Sequence, residues 1–317
     1  MNRRDFLRTT GAATAGLAAG AIGCRPSAPG GAATDSATAG VAATGSAAAS
    51  ALPAASVTPG VLPPLDRVGL QLSTVRALID RDIDDAFRQA AAIGYRNVET
   101  SADLYEKHKA ADLRALLEKH GLRTTVGLYR DDTIRDDTPG VARAARTLGQ
   151  QYVGLPSLSA SSRGSREAYA QAAARYNEWG RRLKDEGLTL TYHNHAFEFK
   201  PLGGDSPAFD ILLAETDPEL VAFELDLYWV DKAGHDPVAY MERFPGRFHL
   251  LHLKDSTAAP EKAFAPVGAG RLDFRTILTH AGRGGMRYAF VEHDKPADPI
   301  ASMRTSYATL SAMLPRS

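Results

Sequence analysis

The sequence is poor in cysteine, lacks an excess of charge of either sign, and contains no long apolar run. Its one cysteine, Cys24, excludes an intrachain disulfide. The 37 basic and 37 acidic side chains cancel, so no overall field draws the chain toward nucleic acid or an anionic membrane. The stretch from Thr9 to Gly23 is too short and too weakly apolar to span a bilayer. Val68–Ser73 reads as the first strand, yet Thr74-Val75-Arg76-Ala77-Leu78 follows it instead of a glycine-rich turn. That absence argues against a dinucleotide-binding doubly wound sheet.

At the N-terminus, Asn2-Arg3-Arg4-Asp5-Phe6-Leu7-Arg8 followed by an Ala/Gly-rich run reads as a twin-arginine export signal. Ala21-Ile22-Gly23-Cys24 resembles a lipobox, so residues 1–24 predict a periplasmic protein or a lipoprotein anchored through Cys24. Residues 25–65 are Ala, Gly, Ser, Thr and Pro with few large apolar side chains, which predicts a disordered linker. The folded part is expected over residues 66–317.

From Asp66 strands and helices alternate. Strands are expected at Val68–Ser73, Tyr95–Glu99, Leu122–Leu128, Gln151–Leu155, Leu188–His193, Leu220–Asp226, Arg247–His252 and Met286–Glu292. Between them lie segments of helical spacing, several stopped by glycine, such as Thr138–Leu148 before Gly149. Eight such units predict a single-domain α/β fold, a (β/α)8 TIM barrel.

Active sites of such barrels sit at the C-terminal strand ends. Strand five runs into Tyr192-His193-Asn194-His195-Ala196-Phe197-Glu198-Phe199, and strand six ends at Asp226 with Tyr228 and Trp229 beyond. Strand seven offers His252, Lys254 and Asp255, and strand eight offers Glu292, His293 and Asp294. Alternation of side chains along a strand selects Glu198, Asp226, His252 and Glu292 as inward, mouth-level groups. Three carboxylates and an imidazole repel unless a cation joins them, so one divalent metal is expected: Mn first, with Zn, Co, Fe or Mg as alternatives. Glu99 and Glu224 read as polar pairing inside the barrel, and His249 as structural.

These motifs, with Pro266-Val267-Gly268-Ala269-Gly270 and His252-Leu253-Lys254-Asp255, resemble the xylose isomerase-like superfamily in its sugar phosphate isomerase/epimerase branch. The resemblance covers about residues 66–315. It implies a metal held by Glu198, Asp226, His252 and Glu292, and a substrate-facing Lys254. Where relatives often read Gly-Glu-Gly, this chain has Gly268-Ala269-Gly270, so substrate identity does not transfer. The expected activity is isomerisation or epimerisation of a ketose or keto-sugar through an enediolate, with Glu198 and Glu292 as acid and base. His193, His195, Lys254, Trp229 and Arg271 are the expected substrate contacts. The alternatives are a lyase or hydrolase acting on an oxidised (3-keto) glycoside at the same centre, and a non-catalytic tethered sugar-binding protein. The expected partner is a small sugar, not nucleic acid.

Overall fold

A computed structural model describes residues 55–203 and 206–316. The export motif, Cys24 and the linker as far as residue 54 lie outside the described residues. Eight parallel strands close a barrel: β1 (Val68–Gln71), β2 (Asn97–Thr100), β3 (Arg123–Leu128), β4 (Tyr152–Leu155), β5 (Thr189–His193), β6 (Val221–Asp226), β7 (Phe248–Leu253) and β10 (Tyr288–Val291). The order around the wall is β1-β10-β7-β6-β5-β4-β3-β2, with β2 returning to β1. Two short strands, β8 (Asp255–Ser256) and β9 (Phe264–Ala265), form an antiparallel hairpin in the loop after β7. The structure is thus the expected (β/α)8 TIM barrel.

The strands form because their residues can be buried on both faces. Every residue of β1, β2, β4, β6 and β10 is buried, as parallel strands between a packed interior and a helical ring require. Helices start where an acid or hydroxyl can cap them. Asp82 accepts from the Asp85 amide, Ser165 from Ala168, and Asp273 from Thr276. Gly149 ends the helix Thr138–Leu148 at φ 81°, a left-handed conformation that favours glycine.

One boundary differs from expectation. Residues 55–65 read as linker, but from Val57 the chain docks on the barrel. The Val57 amide donates to the Met286 carbonyl at 2.8 Å and the Gly60 amide to Thr279 at 3.1 Å. Val57, Leu62 and Leu65 pack against the core. The contact is close: a Cβ on Gly282 would lie 2.6 Å from the Pro59 nitrogen. The few apolar side chains at the end of a polar stretch suffice to hold it.

Inside the barrel the layers differ in chemistry. Toward the N-terminal strand ends, Val126, Tyr152, Ala222, Leu250, Tyr288 and Phe290 form an apolar plug. Above it Gln71, Glu99, Glu224 and His252 are all buried. Strand register places His252 beside Asp226 and Glu224 beside Leu250, one layer deeper. The polar layer therefore leads from the plug to the mouth.

Candidate metal centre at the barrel mouth

Asp226 ends β6 and divides its carboxylate between two tasks. Oδ1 accepts from the Trp229 amide at 3.0 Å and caps the helix Leu227–Lys232. Oδ2 is buried with no hydrogen-bond partner, 3.4 Å from Lys254 Nζ, 3.8 Å from His252 Nδ1 and 3.9 Å from His193 Nε2. His252 Nδ1 lies 2.9 Å from Glu292 Oε2, but the two are out of line for a hydrogen bond. Glu292 accepts from Ser73 Oγ at 2.8 Å and from Lys254 Nζ at 3.0 Å. Lys254 Nζ also reaches Asp294 Oδ2 at 2.7 Å. On its deeper side, His252 Nε2 faces Glu99 Oε2 at 3.0 Å and Glu224 Oε1 at 3.2 Å.

His193, Asp226 and His252 each bring one ligand atom within 4.8 Å of the others, and Glu99, Glu224 and His252 form a second such trio. The first trio has the chemistry of a divalent site. Its Asp226 Oδ2 and His252 Nδ1 are buried and unpartnered, and it mixes nitrogen and oxygen donors. In the second, His252 Nε2 is already engaged by Glu99. Glu292 Oε2, beside His252 Nδ1, adds a fourth donor to the first.

The electrostatics of the cluster follow from burial against ion pairing. Burial alone would lower the pKa of Lys254, yet Glu292, Asp226 and Asp294 hold it raised. Burial would raise Glu292, yet Lys254 and His252 hold its carboxyl well below the usual range. Burial would lower His252, and the attraction of Glu224, Glu99 and Glu292 overcomes it. Glu99 is pushed well above the usual range by burial and by Glu224. His193 is driven down by burial and then by the neighbouring His252. Glu292 is therefore an ionised carboxylate of the cluster, and His193 a neutral imidazole.

Of the residues expected in the site, Asp226, His252, Glu292, Lys254 and His193 come together. Glu198 is in neither trio. Its Oε1 accepts from Tyr192 Oη at 2.6 Å and its Oε2 from the His195 amide at 2.9 Å, wholly buried in the wall. β5 ends at His193 and the chain enters the 3-10 turn Phe197–Phe199, so His193 takes the inward place expected of Glu198. Arg271 is also engaged elsewhere, with Nη2 on Asp231 Oδ1 at 2.6 Å. The Gly268 and Gly270 amides donate to Asp255 Oδ2 at 2.9 and 3.0 Å. His195 is half-buried, packs on Trp229 with ring centres 5.5 Å apart, and is held down to about 4 by burial, hence neutral.

Burial pushes the Glu198 carboxyl up to about 8, against the hydrogen bond from Tyr192. The sign follows. Above its ordinary value the unfolded chain loses this proton while the folded chain keeps it, so stability from this group declines as pH rises toward 8. Glu198→Gln keeps a neutral acceptor there. The variant is expected to gain on the wild type between pH 5.5 and 8.5, by about 2–4 °C in Tm per kcal/mol recovered. Thermal unfolding at the two pH values checks it, and a gap that does not widen sinks the idea.

Trp229, Phe264, Ser73, Arg76, Asp294 and Lys295 line part of a cavity of about 620 Å³ beside the cluster. This is a size suited to a small polyhydroxylated ligand. Lys254 Nζ lies 5.4 Å from the Trp229 ring centre and 5.2 Å from that of Phe264. Ser73 and Phe264 were not among the expected site residues, and Asp294 was a strand-end candidate without an assigned role. Ser73 and Asp294 each lie just past a strand end, which was their only signal.

Residues 87–310 match the profile of the xylose isomerase-like TIM barrel family. The chain is 26% identical to an inosose dehydratase of Clostridium beijerinckii over 118 residues, covering 32% of this chain and 39% of that protein. The match thus spans well under half of that curated relative. Among solved structures, a sugar phosphate isomerase/epimerase from Parabacteroides distasonis superposes with a TM-score of 0.66 at 24% identity, over 77% of this chain and 93% of that one. The IolI protein, solved with a bound zinc atom, superposes with a TM-score of 0.57 at 14% identity, over 78% and 98%.

Proposed function

This chain belongs to the xylose isomerase-like TIM barrel family, and from that premise we propose that it is a metal-dependent enzyme that removes a carbon-bound proton next to the carbonyl of a ketose or keto-sugar. The observation that carries the reading is the convergence of His193, Asp226, His252 and Glu292 with Lys254 at the mouth, beside a sugar-sized cleft. Those four side chains would hold the metal, and two nitrogens with two carboxylates suit Mn or Zn. The zinc in IolI is in keeping with this. A divalent ion there supplies Lewis acidity to a carbonyl oxygen and offsets negative charge as it develops.

The chain's own residues do the rest. Glu292, ionised and held by Ser73 and Lys254, accepts the carbon-bound proton, a role worth roughly 10²–10⁴-fold in rate. The Lys254 ammonium stabilises negative charge on the adjacent oxygen. Neutral His195 offers a hydrogen bond to a substrate hydroxyl. Trp229 and Phe264, with ring centres 5.7 Å apart, give an apolar wall for the C–H face of the sugar. Return of the proton by Glu292 to the neighbouring carbon, with a proton passing between the two oxygens, completes isomerisation; epimerisation would need a second acid on the opposite face.

A second reading is favoured by the inosose dehydratase relative. The same proton removal, followed by loss of hydroxide from the β-carbon, is dehydration. Both readings are tested by incubating the protein, with and without added Mn or Zn, with ketoses, keto-sugars and inososes in deuterated water. Metal-dependent deuterium at the carbon beside the carbonyl is expected, and loss of water marks dehydration. No exchange and no turnover across the panel, with metal bound, would remove the reading. The twin-arginine start would place this chemistry outside the cytoplasm.

A further inference from the structure

The deeper face of His252 carries a relay that the proposed chemistry leaves unused. Gln71 on β1 and Glu99 on β2 are register partners. Gln71 Oε1 accepts from the Ser73 amide at 2.7 Å, which fixes the orientation of the side-chain amide. Its Nε2 is therefore the end that donates to Glu99 Oε1, at 2.8 Å. Held this way, Glu99 points across the barrel interior, and its Oε2 meets His252 Nε2 at 3.0 Å. Glu224 Oε1 lies 3.2 Å from the same nitrogen. The two carboxyl groups crowded at this one ring nitrogen share at most one proton between them, so at least one accepting oxygen faces Nε2 and calls for an N–H. The other nitrogen differs: Nδ1 has Glu292 Oε2 close but out of line, and Asp226 Oδ2 at 3.8 Å.

We propose that Glu99, oriented by Gln71, is a positioning residue that keeps a proton on Nε2 of His252 and so presents Nδ1 to the ligand cluster at the mouth. Ligating imidazoles commonly donate their second N–H to such a carboxylate, which sets tautomer and ring orientation. The consequence for metal binding rests on the function proposed above. The statement about the proton does not.

The test uses protein labelled with ¹⁵N at histidine, metal-free and loaded with Zn²⁺, which is diamagnetic. In long-range ¹H–¹⁵N spectra, with His252 assigned by its loss in His252→Gln, the Nε2 resonance is expected to be of the protonated type in both forms. A protonated Nδ1 with a bare Nε2 overturns the proposal. Glu99→Leu is expected to weaken Zn²⁺ binding about 10–100-fold and to alter the Nε2–H signal. Glu99→Gln keeps one accepting oxygen for two donors, Gln71 Nε2 and His252 Nε2, and is expected to fall between Glu99→Leu and the wild type. Wild-type affinity and an unchanged His252 spectrum in Glu99→Leu also overturn it. Should that variant not fold, the wild-type spectrum decides alone. If the wild type binds no divalent ion, the metal reading fails, while the metal-free spectrum still decides which nitrogen holds the proton.

Discussion

Asp226→Asn is expected to abolish productive metal binding while the barrel stays folded. The two carboxylate oxygens have separate duties, and asparagine retains only one of them. Its carbonyl can still accept from the Trp229 amide, as Asp226 Oδ1 does at 3.0 Å, and asparagine caps a helix as well as aspartate does. The Asp226 amide keeps its bond to Asn194 Oδ1 at 2.9 Å. What changes is Oδ2, the buried unpartnered atom facing His193, His252 and Lys254. A neutral NH2 takes its place, pointing a donor at an ammonium and offering no lone pair to a cation. Losing an outer-shell partner costs about 10–100-fold in metal affinity, so losing a direct carboxylate donor should cost more. Asp226→Ala is a poorer probe, because it also removes a cap worth about 1 kcal/mol. Calorimetric titration with Mn²⁺ or Zn²⁺, alongside circular dichroism, checks the expectation. Wild-type affinity in Asp226→Asn would remove Asp226 from the ligand set.

The barrel could be read from the sequence because its determinants are local. Each strand is a short buried run, and helices such as Thr138–Leu148 and Phe274–Gly284 end at Gly149 and Gly285 in left-handed conformations. Alternation along β6 and β7 likewise picked out Asp226 and His252, because both residues are still within a strand. Glu198 shows where that logic stops. It lies five residues beyond His193, the end of β5, inside a 3-10 turn where a period of two has no meaning. The six-residue helices Arg76–Arg81, Ala102–Lys107, Asp131–Asp136 and Leu227–Lys232 were not expected, since fewer than two turns carry little periodicity. The Glu99–His252 contact joins residues 153 apart in sequence, and only closure of the sheet brings them together.

Lys254→Met should show how much the cluster depends on a cation. Lys254 is buried, with Nζ 2.7 Å from Asp294, 3.0 Å from Glu292 and 3.4 Å from Asp226. The thioether fills much of the volume of the lysine stem but leaves three carboxylates facing one another with little water. Removing one partner of a buried ion pair typically costs about 3–5 kcal/mol. At about 2–4 °C per kcal/mol, the metal-free variant should melt roughly 6–20 °C below the wild type. Two further measurements separate this cause from poor packing. Glu292→Gln in the Lys254→Met background removes one of the stranded charges and should recover part of the loss. A divalent ion bound by His193, Asp226, His252 and Glu292 should stabilise Lys254→Met more than the wild type, because it binds the folded form and replaces the missing positive charge. The same loss releases Glu292 from the ammonium that holds its pKa down, so the acid limb of any remaining activity should move toward higher pH. If the metal-free variant melts with the wild type, the ammonium does not hold the mouth together, and Lys254 is left only its proposed contact with substrate.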